Sequence, residues 1–186
     1  MIISTTDFRN GMAVVVNNEL YYIIEFQHVK PGKGGAFVRT KLKNLKSGLC
    51  VDRTFRSGEK LEKAELSQRK VEYLYKVEKL FYFMDLDSYE EISLPEEMLG
   101  KKVLYLKENM QVTFLEHQNK VIDVELPTFI NLKVVNTEGG IKGNTVTQVL
   151  KPATLETGLM INVPLFINID DQIRIDTRNN SYIERV

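Results

Sequence analysis

The sequence predicts an all-β chain built as three consecutive small β-barrels, and three observations lead there. Apolar runs of strand length recur from end to end, separated by turns rich in Gly, Pro and Asn. Helix-boundary signals gather in a single stretch, residues 93–100, which has room for one or two turns. The polar segment 57–67 and Pro127 break the run of strands, dividing the chain into sections 1–64, 65–127 and 128–186. At 186 residues and 43% hydrophobic content, three small cores can be filled.

In the first section, residues 12–16 lead through Asn17-Asn18, a pair suited to a tight hairpin turn, into a strand over 20–26. A second hairpin turns through Lys30-Pro31-Gly32-Lys33-Gly34-Gly35 into a strand over 36–42, and another strand follows over 49–56. Five-stranded barrels of this length are a familiar solution to such a pattern. The second section opens with aromatic and β-branched strands over 71–77 and 80–85. Its helix is expected at 93–100, where Ser93 and Glu96 have capping-box spacing, Pro95 sits in the first turn and Gly100 can end it. Strands are expected again at 103–106, 111–115 and 121–126. The third section reads as strands over 130–135, 147–150, 159–163, 165–169, 172–176 and 182–186. Open-faced barrels of the OB kind suit the two later sections.

Formal net charge is zero, but its distribution is uneven. Residues 1–64 hold 11 Lys and Arg against 6 Asp and Glu, residues 65–127 hold 8 against 13, and residues 128–186 hold 6 against 6. Between Phe26 and Val51 there is no acid, while Lys30, Lys33, Arg39, Lys41, Lys43 and Lys46 are all basic. An arm of one sign suggests a polyanionic partner. At its tip Pro31 interrupts strand pairing, Gly32, Gly34 and Gly35 tolerate positive φ, and Lys33 stands as a lone ammonium. Counted from Phe26 at about 3.3 Å per residue, that tip is expected to stand roughly 20 Å out.

Other chemistries lack their parts. His28, His117 and Cys50 have no metal-ligand spacing, so neither a metal nor a cofactor is expected. There is no strained nucleophile elbow, and the Lys33 loop has neither Walker spacing nor the strand-loop-helix context. A Schiff-base role for Lys33 would need a dry pocket, which a hairpin tip does not provide. Tyr73, Tyr75, Phe81, Tyr82 and Phe83 could stack bases, although their alternation favours core packing. Glu90, Glu91, Glu96 and Glu97 read as solvated acids. No apolar run approaches the ~20 residues of a membrane helix, and the opening residues lack the pattern of a secretory signal. A cytoplasmic protein with a single free cysteine, Cys50, is expected.

Two long motifs carry a family resemblance. Val29-Lys30-Pro31-Gly32-Lys33-Gly34 with Ala36-Phe37, and Lys151-Pro152-Ala153-Thr154-Leu155-Glu156-Thr157-Gly158 running into Val163-Pro164-Leu165-Phe166, resemble bacterial translation elongation factor P. Thr6-Asp7-Phe8-Arg9-Asn10-Gly11, Tyr73-Leu74-Tyr75, and Asp176-Thr177-Arg178 with Tyr182 and Arg185 fit the same alignment, so the resemblance spans the chain. It implies an N-terminal SH3-like (KOW-like) barrel followed by two OB-fold barrels in an L-shaped, tRNA-like arrangement. It also implies a factor, not an enzyme, that binds the 70S ribosome between the P and E sites beside peptidyl-tRNA and relieves stalling at consecutive prolines.

In that reading Lys33 is the tip lysine, a target of a lysine-modifying enzyme, and Lys30, Pro31, Gly32, Gly34 and Gly35 face the tRNA end. Arg39, Lys41 and Lys43 face ribosomal RNA, Gly143, Asn144 and Thr145 approach the mRNA codon in the E site, and Tyr182 and Arg185 make a C-terminal RNA contact. A monomer is expected, with no membrane partner. The chain departs from the family pattern at Asn144, where Asp is usual, and at Asp170, where Gly is common. A paralogue of the factor, or a general single-strand RNA binder of the OB type, shares many of these features.

Overall fold

A computed structural model describes residues 1–32, 34–138 and 150–186. The described chain is mostly strand, with two short helical segments within residues 96–105. In order come β1 (Ile2–Ser4), β2 (Ala13–Val16), β3 (Glu19–Val29), β4 (Phe37–Asn44), β5 (Cys50–Arg56) and β6 (Lys60–Lys63). Then follow β7 (Leu66–Val77), β8 (Leu80–Asp85), β9 (Glu91–Pro95), the one-turn helix α1 (Glu96–Leu99), a 3-10 helix (Gly100–Tyr105), β10 (Met110–His117) and β11 (Lys120–Glu125). The last strands are β12 (Phe129–Thr137), β13 (Leu150–Leu155), β14 (Met160–Pro164), β15 (Gln172–Asp176) and β16 (Ser181–Arg185).

Among the described residues the strands form three curled sheets, ordered β1-β6-β2-β3-β4-β5, β11-β10-β7-β8-β9 and β14-β13-β12-β15-β16. By packing, the chain divides into two compact units, Met1–Arg69 with Phe114–Asp123, and Lys70–Thr113 with Val124–Val186. No described helix is long and apolar enough to cross a membrane.

In the first unit, alternation on β4 turns Val38, Thr40, Leu42 and Asn44 inward and leaves Arg39, Lys41 and Lys43 exposed. Val14, Ile23, Val38 and Leu42 are fully buried, with Phe8 among them, its ring edge-on to Phe26 at 6.2 Å and to Phe55 at 5.9 Å. The β2–β3 turn falls at Asn17-Asn18, both with positive φ (52° and 64°), as the sequence predicts for a tight hairpin.

In the second unit, β12 pairs with β15 and β13, and a core of Leu132, Val134, Leu155, Val163, Ile167, Ile173 and Ile175 fills the third sheet. Tyr105 and Met110 pack against that same core. Of the five aromatics of the middle section, Tyr73, Phe81 and Phe83 are buried, while Tyr75 and Tyr82 lie on the opposite face.

Four sequence expectations change. The segment 57–67 is not a plain linker, because β6 lies within it and pairs with both β1 and β2. Ser93 does not cap a helix. It sits in β9 opposite Tyr82, where ladder bonding and burial of Leu94 win, and α1 starts at Glu96 with Pro95 at its N-cap and no side-chain cap. The capping box falls instead at Ser4 and Asp7, around the 3-10 turn Thr5–Asp7, where the Ser4 N–H donates to the Asp7 carboxylate at 2.9 Å. Residues 103–106 lie in and just after the 3-10 helix, and 165–169 form a turn in which Ile167 alone is buried. Both segments hold apolar residues at irregular spacing, which a strand reading mistakes for alternation.

Phe8 contacts two other rings at the centre of the first core, so Phe8→Ala is expected to cost about 3–5 kcal/mol in chemical denaturation. A loss below about 1 kcal/mol would contradict this placement.

Candidate nucleic-acid interface

The candidate site begins where β3 and β4 end. Their ladder runs to the pair Val29–Phe37, and the connecting loop spans residues 30–36. Lys30, Pro31, Gly32, Gly34 and Gly35 are all exposed, and Lys33 lies outside the described residues. Among these three glycines only Gly34 has positive φ, at +114°, and Gly32 and Gly35 open onto free space.

The stem of the arm expected from sequence is paired strand as far as Val29–Phe37. β5 accompanies β4 as far as Phe37–Arg56, and Val38 is fully buried, so the core reaches almost to the loop.

The base of the loop is tied through the end of the neighbouring strand β5. The Ser57 N–H donates to the Ala36 carbonyl at 3.0 Å. The turn carrying Ser57 is in turn held by Thr5, a fully buried residue. Its hydroxyl donates to the Arg56 carbonyl at 3.4 Å and accepts from the Gly58 N–H at 2.9 Å. The Arg56 N–H donates to the Glu59 carboxylate at 2.8 Å. Sequence reading missed this tie, since no periodicity marks a threonine that closes a turn 51 residues away.

Arg39, Lys41 and Lys43 form an exposed stripe with alternate-residue spacing along β4. The stripe is not purely positive in space. Cross-strand register sets Lys41 between Glu25 and Asp52, two acids lying just outside the acid-free window 26–51. Arg39 lies between Gln27 and Thr54, and its guanidinium sits 5.5 Å from the Phe37 ring centre. Arg56, opposite Phe37, adds a further cation at the loop end. Positive charge is therefore interrupted at Lys41 rather than continuous along the whole arm.

Gly143, Asn144 and Thr145 lie outside the described residues. In the third sheet, Tyr182 is half-buried against the core. Arg185 sits 3.7 Å from the Asp171 carboxylate and 5.9 Å from the Phe166 ring centre. Beside them Arg178 grips the buried Asp176 with two guanidinium bonds of 3.0 and 2.6 Å. Those bonds, with one from the Arg178 N–H, hold the Asp176 carboxyl below the usual range against the opposing effect of desolvation. Asp170 adopts φ +73°, the left-handed conformation that a glycine there would take without strain, and its carboxylate pairs with Lys133 at 2.8 Å.

The second motif has a clear structural task. Leu155 is fully buried, and the Glu156 carboxylate accepts from Lys107 Nζ and the Lys133 N–H, both at 2.9 Å. The Thr157 hydroxyl donates to the Leu104 carbonyl. Desolvation pushes the Glu156 pKa up. The hydrogen bonds from Lys107 and Lys133 and their two charges outweigh it and hold the carboxyl below its ordinary value.

Three family models cover nearly the whole chain: "Elongation factor P (EF-P) KOW-like domain" at residues 4–61, "Elongation factor P (EF-P) OB domain" at 66–124 and "Elongation factor P, C-terminal" at 130–185. Elongation factor P from Pelotomaculum thermopropionicum is 49% identical over 185 residues, covering 100% of both chains. The protein of the same name from Natranaerobius thermophilus is 50% identical over 185 residues, covering 100% of this chain and 98% of its own. Among solved structures, eukaryotic translation initiation factor 5A from Methanococcus jannaschii matches with TM-score 0.54 at 23% identity, over 67% of this chain and 93% of that one, a likeness of fold alone. These models and relatives, matched over the whole chain, place it in the class of translation factors assembled from small β-barrels. Within that class, the chain belongs to the elongation factor P family.

Glu156 has a depressed pKa in the folded chain, so its stabilising contribution is complete above the unfolded value near 4.5 and is lost as pH falls through the lower folded value. Glu156→Gln is expected to lower stability at pH 7 by about 1 kcal/mol, a modest figure because solvent partly screens the pair. The difference between wild type and variant should shrink below about pH 4 in denaturant titrations. A difference unchanged down to pH 2 would contradict the charge-assisted role.

Proposed function

We propose that the chain binds the bacterial ribosome between the P and E sites, next to peptidyl-tRNA, and relieves stalling at consecutive prolines. The carrying observation is full-length identity of about half to relatives named elongation factor P, in a chain whose Lys33 stands inside Pro31-Gly32-Lys33-Gly34. A loop of small residues suits entry into a crowded cleft, and cations beside it suit walls made of phosphate. Proline is a constrained reactant whose fixed φ makes productive alignment rare. A factor that orders the tRNA end lowers that entropic barrier and leaves bond formation to the ribosome.

In this reading the chain works as a cytoplasmic monomer in three sections, 1–64, 65–127 and 128–186, and is not itself an enzyme. Lys33 faces the tRNA end and is the residue that a lysine-modifying enzyme extends. Arg39, Lys41 and Lys43 lie toward ribosomal RNA. The segment with Gly143, Asn144 and Thr145 approaches mRNA, and Tyr182 and Arg185 lie toward RNA at the C-terminal end. Asn144 supplies an amide where a carboxylate is usual, so a contact there can both donate and accept.

The test is Lys33→Ala in a reconstituted translation assay on a polyproline template. Relief of stalling should fall to the factor-free level while stability stays within about 0.5 kcal/mol of wild type. Normal rescue by the variant would overturn the proposal.

A further inference from the structure

On a half-solvated antiparallel sheet the outward positions are ordinarily polar. The middle section breaks that rule. Directly opposed residues share a face, so the pairs Tyr75–Tyr82 and Val77–Leu80, with Met84 beside them, form one outward surface on β7 and β8. Tyr75, Val77 and Leu80 are 40%, 50% and 40% exposed. The two tyrosine rings lie stacked, with centroids 4.8 Å apart and planes within 22°. Contiguous apolar surface of this kind marks a place where something docks.

The charges on this face select the occupant. Met84 is flanked across the sheet by Glu72 on one side and Glu91 on the other, and the Tyr75 hydroxyl donates to the Glu91 carboxylate at 2.9 Å. Within the paired register no Lys or Arg shares the face. Lys76 turns to the opposite side, where it meets Glu96 at 3.0 Å and the Phe81 ring at 4.9 Å, and Lys70 stands just beyond the end of the register. Phosphate would be repelled here, whereas a cation finds two carboxylates beside two aromatic faces.

We propose that the outward face of β7 and β8 is a docking surface for a basic polypeptide segment. An Arg or Lys of that segment lies against the tyrosines between Glu72 and Glu91, and an apolar side chain covers Val77 and Leu80. The surface belongs to the second unit and uses none of the loop residues 30–36, and nucleic acid is not its ligand.

The test titrates the full chain with a synthetic peptide of alternating Arg and Leu, with the same peptide carrying Glu for Arg, and with a single-stranded RNA oligomer, reading backbone amide shifts. The Arg-Leu peptide should move Tyr75, Val77, Leu80 and Tyr82, and the Glu-Leu peptide should not. Tyr75→Ala and the pair Glu72→Lys with Glu91→Lys should each weaken that binding at least five-fold, whereas Lys33→Ala should leave it unchanged. Shifts confined to other surfaces, RNA shifts on this face, or tighter peptide binding after charge reversal would overturn the proposal. Because this readout needs no ribosome, it can fail while the Lys33 assay succeeds, and the reverse. A photo-crosslinker at position 77, in chain shown by co-sedimentation to be on ribosomes, should reach protein. Crosslinking to RNA would count against the proposal.

Discussion

The two-residue period of a single strand sets most of the candidate interface. Because successive side chains on β4 point to opposite faces, burying Val38, Thr40, Leu42 and Asn44 obliges Arg39, Lys41 and Lys43 to face water. A slip of one residue would place three cations in the core, at a cost no small barrel could meet. The register that protects the core therefore also fixes the stripe, ends the ladder at Val29–Phe37 and begins the loop at residue 30. Core packing and charge display are one decision here.

The same economy appears in the second unit, where one turn does two jobs. Leu155 fills the core of the third sheet while Glu156 and Thr157, its immediate neighbours, bind Lys107 and the Leu104 carbonyl. A motif that looks functional because it is distinctive is, in the folded chain, a joint between the middle and C-terminal segments of this unit. Its distinctiveness reflects the number of partners each residue must satisfy together.

Fold class was legible in the sequence because strand periodicity and turn residues are local signals. Asn17-Asn18 announced its hairpin, and the strand over 172–176 was read at its full length. Local signals misled where tertiary pairing overrode them, as at Ser93, which a ladder partner holds, and at 165–169, whose apolar residues serve a turn. The site was legible in part. The loop and the β4 cations followed from composition, whereas the neutralising positions of Glu25 and Asp52 and the tie from Thr5 depend on register and long-range closure. Alternation favoured core packing for all five middle-section aromatics; three lie in the core, whereas Tyr75 and Tyr82 stack on the opposite face, a correction that register alone reveals.

The tie between Ser57 and Ala36 has an effect on timing as the protein is made. The loop is complete once residue 36 has been added, yet the turn that seats it arrives some twenty residues later, and its outer brace, Thr5, has been waiting since the start. During synthesis that tie can form only after residues 56–58 have been added. Any agent that distinguishes the seated loop from a loose one meets its target only when the first sheet has closed.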